Sequence, residues 1–564
     1  MLEGGNAKLS APEIPVTLHD SLMARLDRMG AAKEVLQVGA VIGSEFSYEL
    51  LQAVQPNGDE QLQQALHTLA DAELLYVRGI VPDAIYQFKH ALIRDAAYVA
   101  LLKSRRKDLH RLIAQTITEK FQALKAAQPE VLARHWAEAG ETEQAIAEWS
   151  RAAKAAQARN AFIEAQRSLQ QALALLNLLP ESRERDVREL KLRESLVLML
   201  HFTRGWGAAE AVEASARIAL LAEKSGNLQR LVWSGFGRSF HAFQAGDLST
   251  AAELADEALE LALREGNPTA IATLRMMQLM VHYHRGDLAG AEKHFAAGLK
   301  FFDDPAFRQT PYGGAIAVFA WASFTAWMLG RADVARERLA KMTAAVNPAN
   351  PHDLEWSDLL PISLYALMRD YGTVEALAAR TLDLCEQYGF PNDAAESRFW
   401  LGRARVQLGP GAEGIILMHE GINALRQIGS HPSLPFYITF MAEAQLRVGA
   451  IGNALETIEQ ALSFNPEEAV DRPETLRIRG EIHLKQGILR LAQADFRDSI
   501  AMARRMGAKA WELRTTMSLA KLLDSQGCRD EARTMLADIY NWFTEGFDTA
   551  DLKEAKALLD ELGG

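Results

Sequence analysis

A glycine followed five residues later by alanine recurs along most of this chain, and no other feature restricts the fold as strongly. The seven clear pairs are Gly140/Ala145, Gly246/Ala251, Gly286/Ala291, Gly330/Ala335, Gly449/Ala454, Gly487/Ala492 and Gly527/Ala532. Two weaker members fill the gap, namely Gly372 with Ala376 one position early and Gly409 with Gly414. From Gly246 on, successive members lie 40, 44, 42, 37, 40, 38 and 40 residues apart. A fixed period of about 40 residues predicts a mainly α solenoid of stacked helix pairs.

Each residue type in the repeat has a physical reason. Glycine ends the first helix of a pair because it adopts the left-handed C-cap conformation without a Cβ penalty. An acid such as Asp247 or Asp287 then begins the second helix, where it suits the positive end of the helix dipole. The small residue five positions after the glycine lets the two helices approach closely. An earlier, less regular pair spans Thr203–Asn227, with its turn predicted at Gly205 or Gly207.

Composition is that of a helical protein with a large buried core. The chain has 564 residues, of which 49% are hydrophobic, and a net charge of −12, which disfavours nucleic acid as a partner. The two cysteines, Cys385 and Cys528, are far apart and form no CxxC, so neither a disulfide framework nor a cysteine zinc site is expected. Together with an N-terminus that has no apolar signal-peptide core, this favours a cytoplasmic location.

One uncharged segment, Tyr312–Gly330, is long enough to cross a membrane. It is rich in Ala, Gly, Ser and Thr and lies in register with the repeats. We therefore expect a buried helix of the solenoid and no membrane association.

The first hundred residues do not follow the period. Four helices are predicted before a β-hairpin, at Leu18–Asp27, Ala31–Ile42, Ser47–Val54 and Asp59–Ala72. The hairpin, Leu74–Phe88, alternates in hydrophobicity and turns at a Pro-Asp-Ala sequence. This order predicts a winged helix. The predicted organisation is a linker at 1–17, a winged-helix-like domain at 18–104 and a solenoid at 105–564.

DNA binding by this domain is disfavoured. The candidate recognition helix, Asp59–Leu74, carries four acidic residues and no Lys or Arg, so it would repel phosphates. The basic run Lys103–Lys107 is interpreted as the solvated face of the first solenoid helix, the alternative being an anion or partner site.

Three segments carry a resemblance to a known family. They are PVTLHDSLMARLDRMGAAKEVLQVGAVIGSEFSYELL (Pro15–Leu51), FKHALIRDAAYVALLKSRRKDLH (Phe88–His110) and the stretch from Trp511 to Leu562. They resemble the bacterial multidomain signalling proteins that join a class III adenylate/guanylate cyclase, a STAND-type AAA-like ATPase and a tetratricopeptide region. The resemblance implies that this chain corresponds to the winged helix and the tetratricopeptide repeats, whose right-handed superhelix would bind a protein or peptide on its concave face.

The departures from that family concern catalysis. The chain has no GxxxxGK[ST] loop to hold phosphates and no visible pair of metal-binding aspartates in a cyclase context. The resemblance implies that His90, in FKHALIRDAAY, is the histidine that contacts bound nucleotide when a STAND ATPase domain is present, in the same polypeptide or in a separate one. The alternative is a histidine that caps or packs at the start of a helix.

No other constellation indicates catalysis or metal binding. His282 and His284 lie two apart on a predicted helix and point in different directions, so chelation by this pair is disfavoured. We expect no catalytic residue, metal or cofactor in this chain, and a scaffold that regulates a STAND ATPase/cyclase system. Two alternatives stay open: a fragment of a longer adenylate/guanylate cyclase, and a winged-helix transcription regulator with a repeat sensor.

Overall fold

The computed structural model describes residues 23–55, 58–310, 313–409 and 411–563. The predicted linker at 1–17 and the first half of the helix predicted at 18–27 lie outside the described residues. The chain forms two compact units. The first contains the described residues up to Arg159 together with Glu164–Arg185, and the second contains Asn160–Ile163 and the described residues from Asp186 on.

The first unit combines helices with a small sheet. Its helices are α1 (Ala31–Ile42), α2 (Tyr48–Val54), α3 (Asp59–Asp71), α4 (Ala91–Val99), α5 (Lys103–Lys120), α6 (Gln122–Ala127), α7 (Pro129–Ala139), α8 (Thr142–Ala158) and α9 (Phe162–Leu176), whose first two residues belong to the second unit. Its strands are β1 (Glu45–Ser47), β2 (Leu75–Arg78) and β3 (Ile85–Phe88). They form an antiparallel sheet in the order β1-β3-β2, with Phe46 opposite Tyr86 and Val77 also opposite Tyr86.

Two of these strands are the predicted hairpin, and the third is new. β1 has three residues and passes directly into α2, where the Ser47 hydroxyl accepts a hydrogen bond from the Leu50 N–H at 3.2 Å. So short a strand has no alternating pattern to recognise in the sequence. The winged-helix identity and the boundary at residue 104 stay predictions.

The second unit is built from helix pairs. Its helices are α10 (Arg183–Arg204), which begins in the first unit, α11 (Ala209–Ser225), α12 (Leu228–Gln244), α13 (Leu248–Glu265), α14 (Pro268–His284), α15 (Leu288–Phe302), α16 (Pro305–Arg308), α17 (Gly314–Met328), α18 (Ala332–Ala344), α19 (Pro351–Leu367), α20 (Tyr371–Tyr388), α21 (Pro391–Leu408), α22 (Ala412–Ile428), α23 (Leu434–Arg447), α24 (Ile451–Phe464), α25 (Arg472–Lys485), α26 (Leu489–Met506), α27 (Lys509–Ser525), α28 (Arg529–Tyr540) and α29 (Ala550–Gly563). From α12 on, the pairs repeat at about the predicted period. The mainly α, tetratricopeptide-like solenoid predicted from the glycine spacing is confirmed.

The seven clear Gly/Ala pairs behave as predicted. All seven glycines have φ between 75° and 83°, in the left-handed region. All seven alanines are fully buried. The carboxylate of Asp247 accepts a hydrogen bond from the Thr250 N–H at 3.0 Å, and that of Asp287 accepts one from the Gly290 N–H at 2.9 Å. The acid after the glycine therefore caps the second helix, as expected. In the earlier pair the turn residue is Gly205, with φ of 100°.

In the two weaker members of the repeat, the glycine that was predicted to form the turn is not the turn residue. Gly372 lies inside α20, and the turn residue is Arg369 with φ of 67°. Val374, five positions after Arg369, is buried at the position that is alanine in the clear members of the repeat. At the next turn Gly409 is extended and Gly411 takes the left-handed conformation, with φ of 80°.

The solenoid of the second unit makes contact with itself after about five repeats. Asn465 Nδ2 donates to the Gly246 carbonyl at 3.0 Å, across 219 residues. Arg336 binds Asp548 at 2.9 Å across 212 residues. The buried His284 Nδ1 lies 2.9 Å from the Glu468 carboxylate, 184 residues away. With repeats of about 40 residues, these separations mean that turns of the superhelix touch.

The segment weighed as a membrane span is α17, whose residues are all buried except Trp321. Its predicted first residue, Tyr312, lies outside the described residues. Among the helices that the structure describes, none combines the length and the apolar character needed to cross a bilayer.

Candidate ligand-binding cavity

The sequence-predicted residue His90 lies in the first unit, directly before α4. Its backbone carbonyl accepts a hydrogen bond from the Ile93 N–H at 3.0 Å, which begins the helix. Its side chain is exposed and makes no capping hydrogen bond. The imidazole therefore does not cap the helix, and its packing at the helix start is not tested by this structure. A nucleotide-sensing role stays a prediction.

The second unit contains a partly open cavity of about 700 Å³. Its wall comes mainly from the first helices of successive pairs, namely α10, α12, α14, α17, α19, α21 and α23. A space of this size lies within the range of small-ligand pockets. The inner face of these repeats is thus a confined space, because the superhelix touches itself.

Aromatic side chains cover much of the cavity wall. Trp233, Phe236, Phe240, Trp321 and Trp356 line it and keep part of their surface accessible. Large flat rings give extensive contact area at little cost in side-chain entropy. The wall therefore suits a ligand with apolar or aromatic groups.

Charged side chains lie in two places along the wall. Lys191 and Glu194 on α10 are exposed, with Arg230 on α12 beside them. The other place is on α21, where Asp393 and Glu396 line the cavity; we call these two residues the acidic patch. They are three apart on one helix and so share a face.

The acidic patch is held by neutral hydrogen-bond donors. Asn392 Nδ2 lies 3.2 Å from Asp393 Oδ1 and 3.1 Å from Glu396 Oε1. The Tyr437 hydroxyl donates to Glu396 Oε2 at 3.0 Å. Among the described residues, no Lys or Arg forms an ion pair with either carboxyl group. The patch is thus oriented by its neighbours while its charge is left uncompensated by protein cations.

The pKa values of the patch reflect that arrangement. Burial raises the pKa of Asp393 to about 6, which the Asn392 amide and the indoles of Trp206 and Trp356 partly oppose. Burial, followed by repulsion from Asp393, raises the pKa of Glu396 to about 7. Two carboxyl groups that titrate near neutrality beside an accessible cavity favour a cation as their partner.

The histidine pair discounted from the sequence is separated as expected. His282 Nδ1 contacts Asp287 at 2.7 Å, whereas His284 is buried against Glu468. Asp287 belongs to the repeat turn, so the Arg-Gly-Asp sequence at 285–287 has a structural role there.

Sequence reasoning did not identify the cavity residues. The helix that contains Trp321 was expected to be buried, but the residues that share the cavity with Trp321 come from helices up to about 130 positions away. The one local signal was the spacing of Asp393 and Glu396, which share a helix face without a basic residue between them. That spacing is common on exposed helices and becomes informative only with burial.

Comparison with known proteins gives one curated relative and several similar folds. No protein-family model matches the chain. An uncharacterized protein of Rhizobium meliloti (strain 1021) is 24% identical over 526 residues, which are 91% of this chain and 51% of that protein. The chain therefore spans about half the length of the relative that it matches.

Solved structures of helical-repeat proteins are similar at low identity. A Rap protein complexed with Competence and Sporulation Factor is 12% identical, covers 65% of this chain and 98% of its own, and has a TM-score of 0.47. The APC/C hetero-tetramer Cut9–Hcn1 is 11% identical, with 96% and 94% covered and a TM-score of 0.46. A STAND protein with a tetratricopeptide repeat sensor, from Pyrococcus horikoshii, is 10% identical, with 98% and 68% covered and a TM-score of 0.27. At these scores the functional argument rests on the geometry of this chain alone.

Proposed function

We propose that this chain is a non-catalytic regulatory region that binds a short peptide inside the superhelix of its second unit. The observation that carries the proposal is the cavity of about 700 Å³, whose aromatic wall includes an uncompensated acidic patch. A peptide fits both features, because its side chains can cover aromatic surface while its ammonium or a basic side chain meets Asp393 and Glu396.

The charges along the wall favour a peptide of mixed charge. The acidic patch on α21 suits a cationic group, and Lys191 and Arg230 suit a carboxylate. A free short peptide carries both charges at its ends. Binding would therefore pair unlike charges at both places and leave the aromatic wall for the side chains between them.

We further propose that peptide binding is coupled to a STAND ATPase and a nucleotide cyclase, in the same polypeptide or in a separate one. The resemblance of residues 15–51 and 88–110 to such signalling proteins supports this coupling. In that arrangement His90 contacts the nucleotide of the ATPase, and its exposed, uncapped side chain leaves the imidazole accessible to do so. An imidazole can donate a hydrogen bond to a phosphate and release it as the nucleotide changes.

Peptide binding is tested by selecting random heptapeptides on the purified chain by display. The discriminating variant is Gly237→Phe, since Gly237 lines the cavity and a Cβ there would meet nothing within 4 Å. The matched control is Gly452→Phe, at an exposed helical position where a Cβ would also meet nothing within 4 Å. We expect selected peptides to bind the wild-type chain and Gly452→Phe alike, and Gly237→Phe at least ~10-fold more weakly. Peptides that bind all three equally, or no enrichment at all, would refute the proposal.

The coupling has its own experiment. By calorimetry, this chain alone is expected not to bind ATP at micromolar concentrations, because it has no phosphate-binding loop. In a polypeptide or mixture that includes the ATPase domain, His90→Ala is expected to weaken nucleotide binding, while His67→Ala, at an exposed position on α3, leaves it unchanged. Equal effects of the two substitutions would argue against a nucleotide contact by His90.

A further inference from the structure

A second group of buried side chains lies behind the cavity wall, where α19 and α21 are neighbours in the solenoid. His352 and Glu355 are three residues apart on α19, and Asp393 is on α21. One ligand atom from each of the three lies within 4.8 Å of the other two. The three-residue spacing places the imidazole and the carboxylate of α19 on the same helix face.

Two of these side chains are fully buried and have no hydrogen bond to a nitrogen or oxygen atom. His352 and Glu355 are both 0% exposed, and Asp393 is 5% exposed. Neither ring nitrogen of His352 and neither carboxylate oxygen of Glu355 has such a partner among the described residues, although the Cys385 thiol lies beside Glu355. Buried polar groups without a partner are costly in a folded protein. One ligand atom each from His352, Glu355 and Asp393 comes together in one small region, which indicates a bound species that satisfies all three.

Among the described residues, no Lys or Arg forms an ion pair with Glu355 or Asp393. The rings of Trp356 and Phe202 lie 4.4 Å and 4.6 Å from the His352 ring, centroid to centroid. Burial raises the pKa of Glu355 well above its usual value, and repulsion from Asp393, Glu396 and Asp358 adds to the rise; the Cys385 thiol acts in the opposite direction. Of these acids, Asp358 is paired with Arg380, on the next helix.

We propose that His352, Glu355 and Asp393 bind one divalent transition-metal ion. One imidazole nitrogen with two carboxylates is a donor set that suits Zn²⁺, Mn²⁺ or Fe²⁺, whereas Ca²⁺ and Mg²⁺ prefer oxygen donors alone. Metal binding requires both carboxyl groups to be ionised and the coordinating imidazole nitrogen to carry no proton, so it is expected to tighten as the pH rises.

The ion would also act on the neighbouring cavity. It ties α19 to α21 and neutralises Glu355 and Asp393, so that Glu396 is left as the ionised carboxylate at the cavity wall. This inference does not depend on the peptide proposal, because the site is complete without any ligand in the cavity.

Calorimetry of the full-length, untagged, chelator-treated chain with Zn²⁺ and with Mn²⁺ tests the site. We expect one ion per chain, bound more tightly at higher pH because the ligand atoms must be free of protons. Co²⁺ is expected to give a visible absorption band from its coordinated state. Absence of binding by all of these ions overturns the proposal.

Two conservative substitutions and two controls locate the ion. Glu355→Gln and Asp393→Asn keep shape but remove a ligand charge, and each is expected to weaken binding at least ~10-fold. The first control, Asp471→Asn, changes a carboxylate that is also buried with one oxygen unpartnered but that lies outside the proposed metal site. The second control, His294→Asn, changes an imidazole that stacks on His282, also outside the proposed site. Both controls are expected to bind as the wild type does. Unchanged binding in Glu355→Gln and Asp393→Asn, or weakened binding in the controls, would overturn the assignment; circular dichroism establishes that each variant is folded.

Discussion

At the scale of single residues, the feature that distinguishes this chain is a set of buried carboxyl groups without basic partners. Burial raises the pKa of Asp393 to about 6 and that of Glu396 to about 7, and it raises the pKa of Glu355 well above its usual value. Elsewhere in the second unit some buried acids are paired, as Glu474 is with Arg477 at 2.7 Å, while Asp471 is buried with one oxygen left without a partner. At α19 and α21 three buried carboxyl groups without an ion pair to Lys or Arg among the described residues, Glu355, Asp393 and Glu396, lie close together, and this concentration points to a ligand or ion beside them.

Glu396 is expected to make the metal-free chain less stable, relative to a Glu396→Gln variant, as the pH rises from about 5 to about 8; the buried histidines, whose pKa values are lowered to about 3 or 4, act in the opposite direction in both chains. The ordinary pKa of a glutamate is 4.5 and that of folded Glu396 is about 7, so in this window the folded chain retains a proton that the unfolded chain has released. The difference corresponds to about 3 kcal/mol at the upper end of the window. Thermal unfolding in the presence of a chelator measures it.

Glu396→Gln is expected to remove that contribution, since the amide does not ionise, so that the stability of the variant relative to the wild type rises across this pH range. Glu253→Gln, at an exposed position on α13, is the control and is expected to keep the wild-type slope. A wild-type slope in Glu396→Gln would show that this carboxyl group does not titrate in the window.

At the scale of helices and turns, the sequence predicted well what depends on neighbouring residues. The Gly/Ala period located the repeat turns because left-handed backbone and close helix approach each restrict the residue type at one position. The prediction failed where a residue other than the expected glycine adopts the left-handed conformation, as Arg369 does instead of Gly372. The sheet was predicted in part, because β2 and β3 alternate in hydrophobicity while β1 is too short to do so.

The turn glycines are predicted to differ in their tolerance of a side chain. At Gly487 a Cβ would meet nothing within 4 Å, so Gly487→Ala is expected to cost about 1 kcal/mol for left-handed backbone alone. Gly487→Asn is expected to cost less, because asparagine tolerates that conformation. At Gly286 a Cβ would also clash with Met506, so Gly286→Ala is expected to cost more. Unfolding by urea of the three variants measures the order, and equal losses would contradict it.

At the scale of the second unit, the contacts between superhelical turns determine the shape of the site. These contacts join residues about 200 positions apart, and no local pattern in the sequence encodes them. The cavity and the proposed metal-binding group therefore escaped prediction, although the repeat of helix pairs that builds them was predicted. From the sequence we expect a partner to bind on the concave face of the superhelix. The structure instead has a cavity on the inner side of the repeats from α10 to α23.

A side chain at Gly207 is expected to disturb the contact between two turns of the superhelix. A Cβ there would clash with the Gly429 carbonyl, which is backbone and has little freedom to move. Gly207→Ala is expected to destabilise the second unit by about 1–3 kcal/mol. Gly237→Ala, inside α12 with open space around it, is the control and is expected to leave stability unchanged or to raise it slightly. Equal melting temperatures for wild type and Gly207→Ala would contradict the close approach of these two turns.

Hydrogen–deuterium exchange with and without a selected peptide tests the central claim, that the ligand binds inside the superhelix, most directly. We expect the peptide to slow exchange in the inner helices α12, α17 and α21 of the wild-type chain, because binding suppresses their local opening. The same peptide should leave exchange unchanged in Gly237→Phe. Slowed exchange confined to second helices such as α13, α18 or α24, or equal in Gly237→Phe, would place the ligand elsewhere and contradict the claim.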